Sequence, residues 1–112
     1  MVVTFDDKDL EKCANDTKYC VKKLGMRRAK LYLDKLQKLY LADTLEDVRE
    51  MPGHFHELVG IRKGQWACDL DQPYRLIFEP HENPIPTDST GKYIWLEIKG
   101  VEIIEITNYH GK

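Results

Sequence analysis

Gln65-Trp66-Ala67-Cys68-Asp69-Leu70, then Asp71-Gln72-Pro73, then Tyr74-Arg75-Leu76-Ile77-Phe78-Glu79 is the stretch on which the fold of this chain turns. Its first segment alternates as an extended strand does, with Trp66, Cys68 and Leu70 on one face and Ala67, Asp69 and Asp71 on the other. Asp71-Gln72-Pro73 supplies turn residues. The second segment is apolar and rich in strand formers, broken only by Arg75. If Leu76 and Phe78 face the same side as Tyr74, then Arg75 and Ile77 share the opposite side. A guanidinium there needs a partner, which is either a carboxylate such as Asp69 or Glu79, a bound phosphate, or solvent.

Working outward, Phe55 to Leu58 reads as a further strand, set off by Gly60 and Gly64. Pro52-Gly53 breaks the chain before it, and Thr44-Leu45-Glu46-Asp47 has the spacing of a capped helical turn. Upstream the period changes. Leu10, Cys13, Ala14, Thr17, Cys20, Val21 and Leu24 follow helical spacing, with Asp6 or Asp7 as cap and Gly25 as stop. Ala29, Tyr32, Leu33, Leu36, Leu39 and Tyr40 repeat the pattern, which predicts a helical hairpin. Val2 to Phe5 is a candidate first strand. Downstream, Pro80 to Lys92 reads as an exposed loop, Tyr93 to Lys99 stays open between strand and turn, and Val101 to Thr107 is a last strand. The expectation is one α+β domain over residues 1–112, an N-terminal strand and helical hairpin packed on a twisted antiparallel sheet.

The longest apolar runs are short, such as Tyr93-Ile94-Trp95-Leu96, far below a membrane span. The first residues lack the charged and apolar regions of a secretory signal, so a cytoplasmic location is expected. Cys13, Cys20 and Cys68 make an odd count without CxxC spacing and read as small buried hydrophobes. His54 and His56 share a face at strand spacing, but no third ligand stands at a clear interval, so no metal site is expected.

Charge is distributed unevenly. Residues 1–64 carry 13 basic and 11 acidic side chains, a balance of +2, and residues 65–112 carry 4 and 8, a balance of −4. Lys18, Lys22, Lys23, Arg27, Arg28, Lys30, Lys35 and Lys38 stand against Asp34 alone within residues 17–38. Such a segment is either a solvated helix face or a surface for polyphosphate.

Taken together, Pro52-Gly53-His54-Phe55-His56-Glu57-Leu58-Val59-Gly60-Ile61-Arg62-Lys63-Gly64-Gln65-Trp66, Tyr74-Arg75-Leu76-Ile77-Phe78 and Tyr109-His110 resemble the HigB-like toxins of the RelE/ParE superfamily. These are the toxins of bacterial type II toxin–antitoxin pairs. The resemblance implies a RelE/ParE-like fold and a ribosome-dependent mRNA endonuclease that needs no cofactor. Its partners would be the ribosome with its message and a helix-turn-helix antitoxin, with operator DNA met only through the antitoxin complex.

Such cleavage has the ribose 2′-OH attack the neighbouring phosphate, so it needs a proton acceptor and cations for the developing charge. The resemblance casts His110 as base, His56 as acid or orienting group, Arg75 as phosphate clamp and Tyr109 as a stacking or positioning group. Arg62 and Lys63 would contact the RNA backbone, and Lys22, Lys23, Arg27 and Arg28 would dock on ribosomal RNA. The chain departs from the family pattern at Val59, where a lysine is usual, and at Asn108, where an aspartate precedes Tyr-His. Its acidic sheet half and the insertion from Pro80 to Lys99 are further departures. The alternative is a non-catalytic or ParE-like homologue that acts through antitoxin binding and operator autoregulation.

Overall fold

Two aspartates punctuate the N-terminal half of the structure, a computed structural model that describes residues 1–108. After strand β1 (Val2–Phe5), the Asp7 carboxylate accepts from the Leu10 N–H at 2.9 Å and opens helix α1 (Lys8–Asn15). Asp16 does the same for Tyr19 at 3.1 Å and opens α2 (Thr17–Leu24). The single helix expected from residue 10 to residue 24 is thus two. At Asp16 the backbone is extended, because its side chain offers the next turn's donors a better partner than a continuous helix would. Gly25, at φ +85°, turns the chain into α3 (Met26–Leu41). The short α4 (Leu45–Val48) follows, and the Asp47 carboxylate accepts from the Thr44 N–H at 3.0 Å.

The strands are β2 (His56–Glu57), β3 (Trp66–Asp69), β4 (Arg75–Pro80) and β5 (Gly100–Thr107). They lie in the order β1-β5-β4-β3-β2. The sheet is mixed where an antiparallel one was expected. β1 runs parallel to β5, from Val2 opposite Gly100 to Phe5 opposite Ile103, while the other neighbours are antiparallel. The four helices and three other strands lie between β1 and β5 in the chain, far more than the crossover a parallel pair requires.

One face of the sheet meets the helices. Cys13, Cys20, Tyr32, Leu36 and Leu39 from the helical layer are buried with Cys68, Leu76, Phe78, Val101 and Ile103 from the sheet. Tyr32 is fully buried, and its hydroxyl donates to the Leu10 carbonyl at 2.8 Å. All three cysteines are reduced and buried, and burial pushes the Cys20 thiol up to about 12. The stretch left open by the sequence contains a 3₁₀ turn, Trp95–Glu97. Trp95 packs edge-to-face with buried Trp66, with centroids 5.4 Å apart and planes at 88°.

Arg28 ties α3 to the β3–β4 turn. Its Nε and Nη2 donate to the two Asp71 carboxylate oxygens at 2.9 and 3.0 Å, and its guanidinium lies 3.7 Å over the Tyr74 ring. Arg28→Ala is expected to cost about 1–2 kcal/mol in urea unfolding at neutral pH, as for a charged, forked hydrogen bond that is partly exposed. The Arg28 donors hold the Asp71 carboxyl below the usual carboxylate range. The pair therefore stabilises the fold above the unfolded-state value of about 4 and loses that contribution as pH falls through the lower folded value. Stability of the alanine variant should depend less on pH in that acidic window.

Candidate functional site

The sheet face away from the helices is open, and register places its side chains in rows. Asp69, Arg75 and Thr107 form one row, on β3, β4 and β5. His56, Ala67, Ile77 and Glu105 form the next. Glu79 pairs with Glu102 in the row beyond, where Gln65 joins them through a 3.0 Å bond to Glu79. A bulge at Ile77/Phe78 sets Ile77 opposite Glu105 and Phe78 opposite Ile103, so Ile104 is the extra residue. As a result Ile104 packs against the buried Leu58, Ala67 and Ile77 in a small apolar cluster at the base of this face, and Glu105 stands beside it.

Around this cluster the polar groups are connected. Arg62, at the end of the 3₁₀ turn Gly60–Arg62, donates from Nη1 to Gln65 Oε1 at 2.9 Å and from Nη2 to Glu105 Oε2 at 2.8 Å. Arg75 Nε lies 3.3 Å from Asp69 Oδ1. The Asp69 partner considered from sequence is therefore present, and it aims the guanidinium along the sheet. The other Asp69 oxygen lies 3.4 Å from His54 Nδ1. His54 and His56 stack with centroids 4.2 Å apart and planes at 21°. His56 Nδ1 is 2.8 Å from the His54 carbonyl.

The residues singled out from sequence divide into two groups. His56, Arg62 and Arg75 share the open face, His56 in the row beside that of Arg75 and Arg62 bonded to Glu105 in the His56 row. Lys63 is exposed next to it, with its ammonium 5.6 Å from the Tyr93 ring centroid. Lys22, Lys23, Arg27 and Arg28 belong to the helical layer on the opposite side. Lys23 reaches Asp9 at 3.5 Å, and Arg28 is held by Asp71. Tyr109 and His110 lie outside the described residues. Sequence reasoning passed over Gln65, Glu105 and the His54 ring as members of this network. The bonds from Arg62 to Glu105, from Gln65 to Glu79 and from His54 to Asp69 span 14 to 43 residues, and no local spacing signals them.

One end of the open face is acidic. Lys63, Gln65, Glu79, His81, Glu82 and Glu102 line a cavity of about 430 Å³ there. His81 Nε2 is 2.7 Å from the Thr4 hydroxyl, and its ring crosses Gly100 so closely that a Cβ at that position would meet it. Chemically, then, the face offers two guanidiniums, the stacked imidazoles of His54 and His56, and carboxylates that orient them. Among the described residues no group of three His, Cys, Asp or Glu is arranged to hold a metal ion, and no helix is long and apolar enough to cross a membrane.

No family model and no curated protein matches the sequence. Among solved structures, one described as a YoeB/ParE toxin from Agrobacterium tumefaciens aligns with 98% of this chain and 100% of its own, at 11% identity and a TM-score of 0.49.

Proposed function

We propose that this chain is the toxin of a type II toxin–antitoxin pair and cuts mRNA on the ribosome. The observation that carries the reading is the placement of His56, Arg62 and Arg75 on the same open sheet face. β5 brings Thr107 alongside Arg75, and in sequence Tyr109-His110 follows closely. In this reading the 2′-hydroxyl oxygen attacks the adjacent phosphorus and yields its proton to His110. The 5′-oxygen leaves with a proton from His56, giving a 2′,3′-cyclic phosphate and a 5′-hydroxyl. Arg75 holds the phosphoryl oxygens as charge builds on them, Arg62 grips the neighbouring backbone, and Tyr109 positions the nucleotide. Lys63 extends the cationic path, while Lys22, Lys23, Arg27 and Arg28 face ribosomal RNA from the helical layer. A helix-turn-helix antitoxin restrains the toxin, and operator DNA is met only through that complex. The activity is cytoplasmic.

A second reading, a non-catalytic or ParE-like homologue, is favoured by two features. Val59 is exposed where the toxins resembled carry a lysine, and Glu79, Glu82 and Glu102 make one end of the face unfavourable to RNA. Mapping mRNA 5′ ends soon after induction of the chain alone decides between them. New cuts in translated frames that vanish in Arg75→Ala and His110→Ala support the nuclease. Folded protein at high level with no new cuts sinks it, and growth arrest with inhibited DNA supercoiling assigns the ParE-like branch.

A further inference from the structure

His54 is the one non-glycine residue with positive φ among those described, at +55°. A left-handed histidine backbone is uncommon and is held only where its surroundings insist on it. The preceding Gly53 carbonyl accepts from the Asp69 N–H at 2.9 Å, and the His54 ring adds two contacts: it stacks on His56 at 4.2 Å, and its Nδ1 lies 3.4 Å from Asp69, the carboxylate that also orients Arg75. In this conformation the His54 carbonyl sits 2.8 Å from His56 Nδ1. A carbonyl oxygen can only accept, so Nδ1 of His56 carries the hydrogen. In the neutral ring the lone pair then belongs to Nε2, which takes no hydrogen bond among the described residues.

We propose that His54 is a positioning residue whose stacked, Asp69-anchored ring holds its own carbonyl against His56, so that His56 exchanges its proton only at Nε2. Neutral histidine in water favours the opposite tautomer, with the hydrogen on Nε2, so the proposed state is one the local structure must impose. The catalytic use of that nitrogen rests on the nuclease reading above; the tautomer itself does not. The arrangement links the two ends of the site, because Asp69 touches both His54 and Arg75. A change at His54 therefore reaches the imidazole directly and the guanidinium through one shared carboxylate.

The test is ¹H–¹⁵N correlation of the histidine rings in the full chain above the imidazole pKa. For His56 the expected result is a protonated-type resonance at Nδ1 and a lone-pair-type resonance at Nε2. His54→Gly keeps the left-handed backbone without strain but removes the ring, and it should move His56 toward the Nε2–H form. His54→Asn tolerates the same backbone and retains a group for Asp69, so it should give an intermediate mixture. Backbone amide spectra establish that both variants are folded. An Nε2–H tautomer in the unaltered chain overturns the proposal, as does a His56 tautomer that stays the same in His54→Gly. Neither result depends on whether RNA is cut.

Discussion

On the proposed nuclease function, Arg75→Ala is expected to slow cleavage of a translated message by about 10²–10³-fold while leaving the fold in place, the usual cost of removing one preorganised donor from a developing phosphoryl charge. Arg75 sits mid-face, beside the chain that leads to Tyr109-His110, and Asp69 aims its fork. With Arg75 removed, Asp69 remains partly exposed and still faces His54, so that carboxylate is not stranded as a buried charge. Arg75→Lys should recover only part of the loss, because an ammonium has the charge without the planar fork. Single-turnover cleavage in a reconstituted translation reaction gives the rates. A rate for the alanine variant within a few-fold of the unaltered chain would reduce Arg75 to a structural ion pair.

Trp66→Ala is expected to cost about 3–5 kcal/mol of stability, a large share of what a small domain possesses. Trp66 is fully buried, packs against Phe78 on β4, stands edge-to-face with Trp95, and has the Arg49 guanidinium 4.8 Å from its ring. It is thus the surface on which Trp95, near the end of the segment from Pro80 to Lys99, rests against the sheet. Its indole N–H is buried without a hydrogen-bond partner among the described residues. Trp66→Phe discards that orphan donor together with some volume and should cost about 1–2 kcal/mol. Urea unfolding followed by circular dichroism measures both. An alanine cost under about 1.5 kcal/mol would mean that Trp95 and its neighbours are held by something other than this ring.

The strands around residues 66–69 and 75–80 were legible because alternation and turn residues are local signals, and the faces assigned to Trp66, Cys68, Ala67, Leu76 and Phe78 match those in the structure. The break at Asp16 was not. Apolar spacing runs smoothly across it, and only competition from the carboxylate for the next N–H groups divides the helix. The parallel pairing of β1 was hidden for a different reason: Val2 and Gly100 are neighbours that no sequence window contains. Within the site, His56 and Arg75 were visible as polar residues in strand surroundings, and Asp69 was among the partners considered. The link from Arg62 to Glu105 depends on the bulge that turns both Ile104 and Glu105 to one side, a backbone irregularity that a strict alternating pattern does not announce. The Arg28–Asp71 fork joins residues 43 apart, and the sequence offered only a cationic helix.

The place of β5 in the sheet has a consequence for how the protein is born. It is the last strand of the five to be synthesised, yet it lies between β1 and β4. Until it arrives, β1 and β4 each present an unpaired row of backbone groups, and neither the Thr107 side of Arg75 nor the Glu105 partner of Arg62 exists. The emerging chain can assemble its helices early, but the open face is completed only as its final strand is delivered. An unfinished copy therefore lacks the full constellation of side chains on that face.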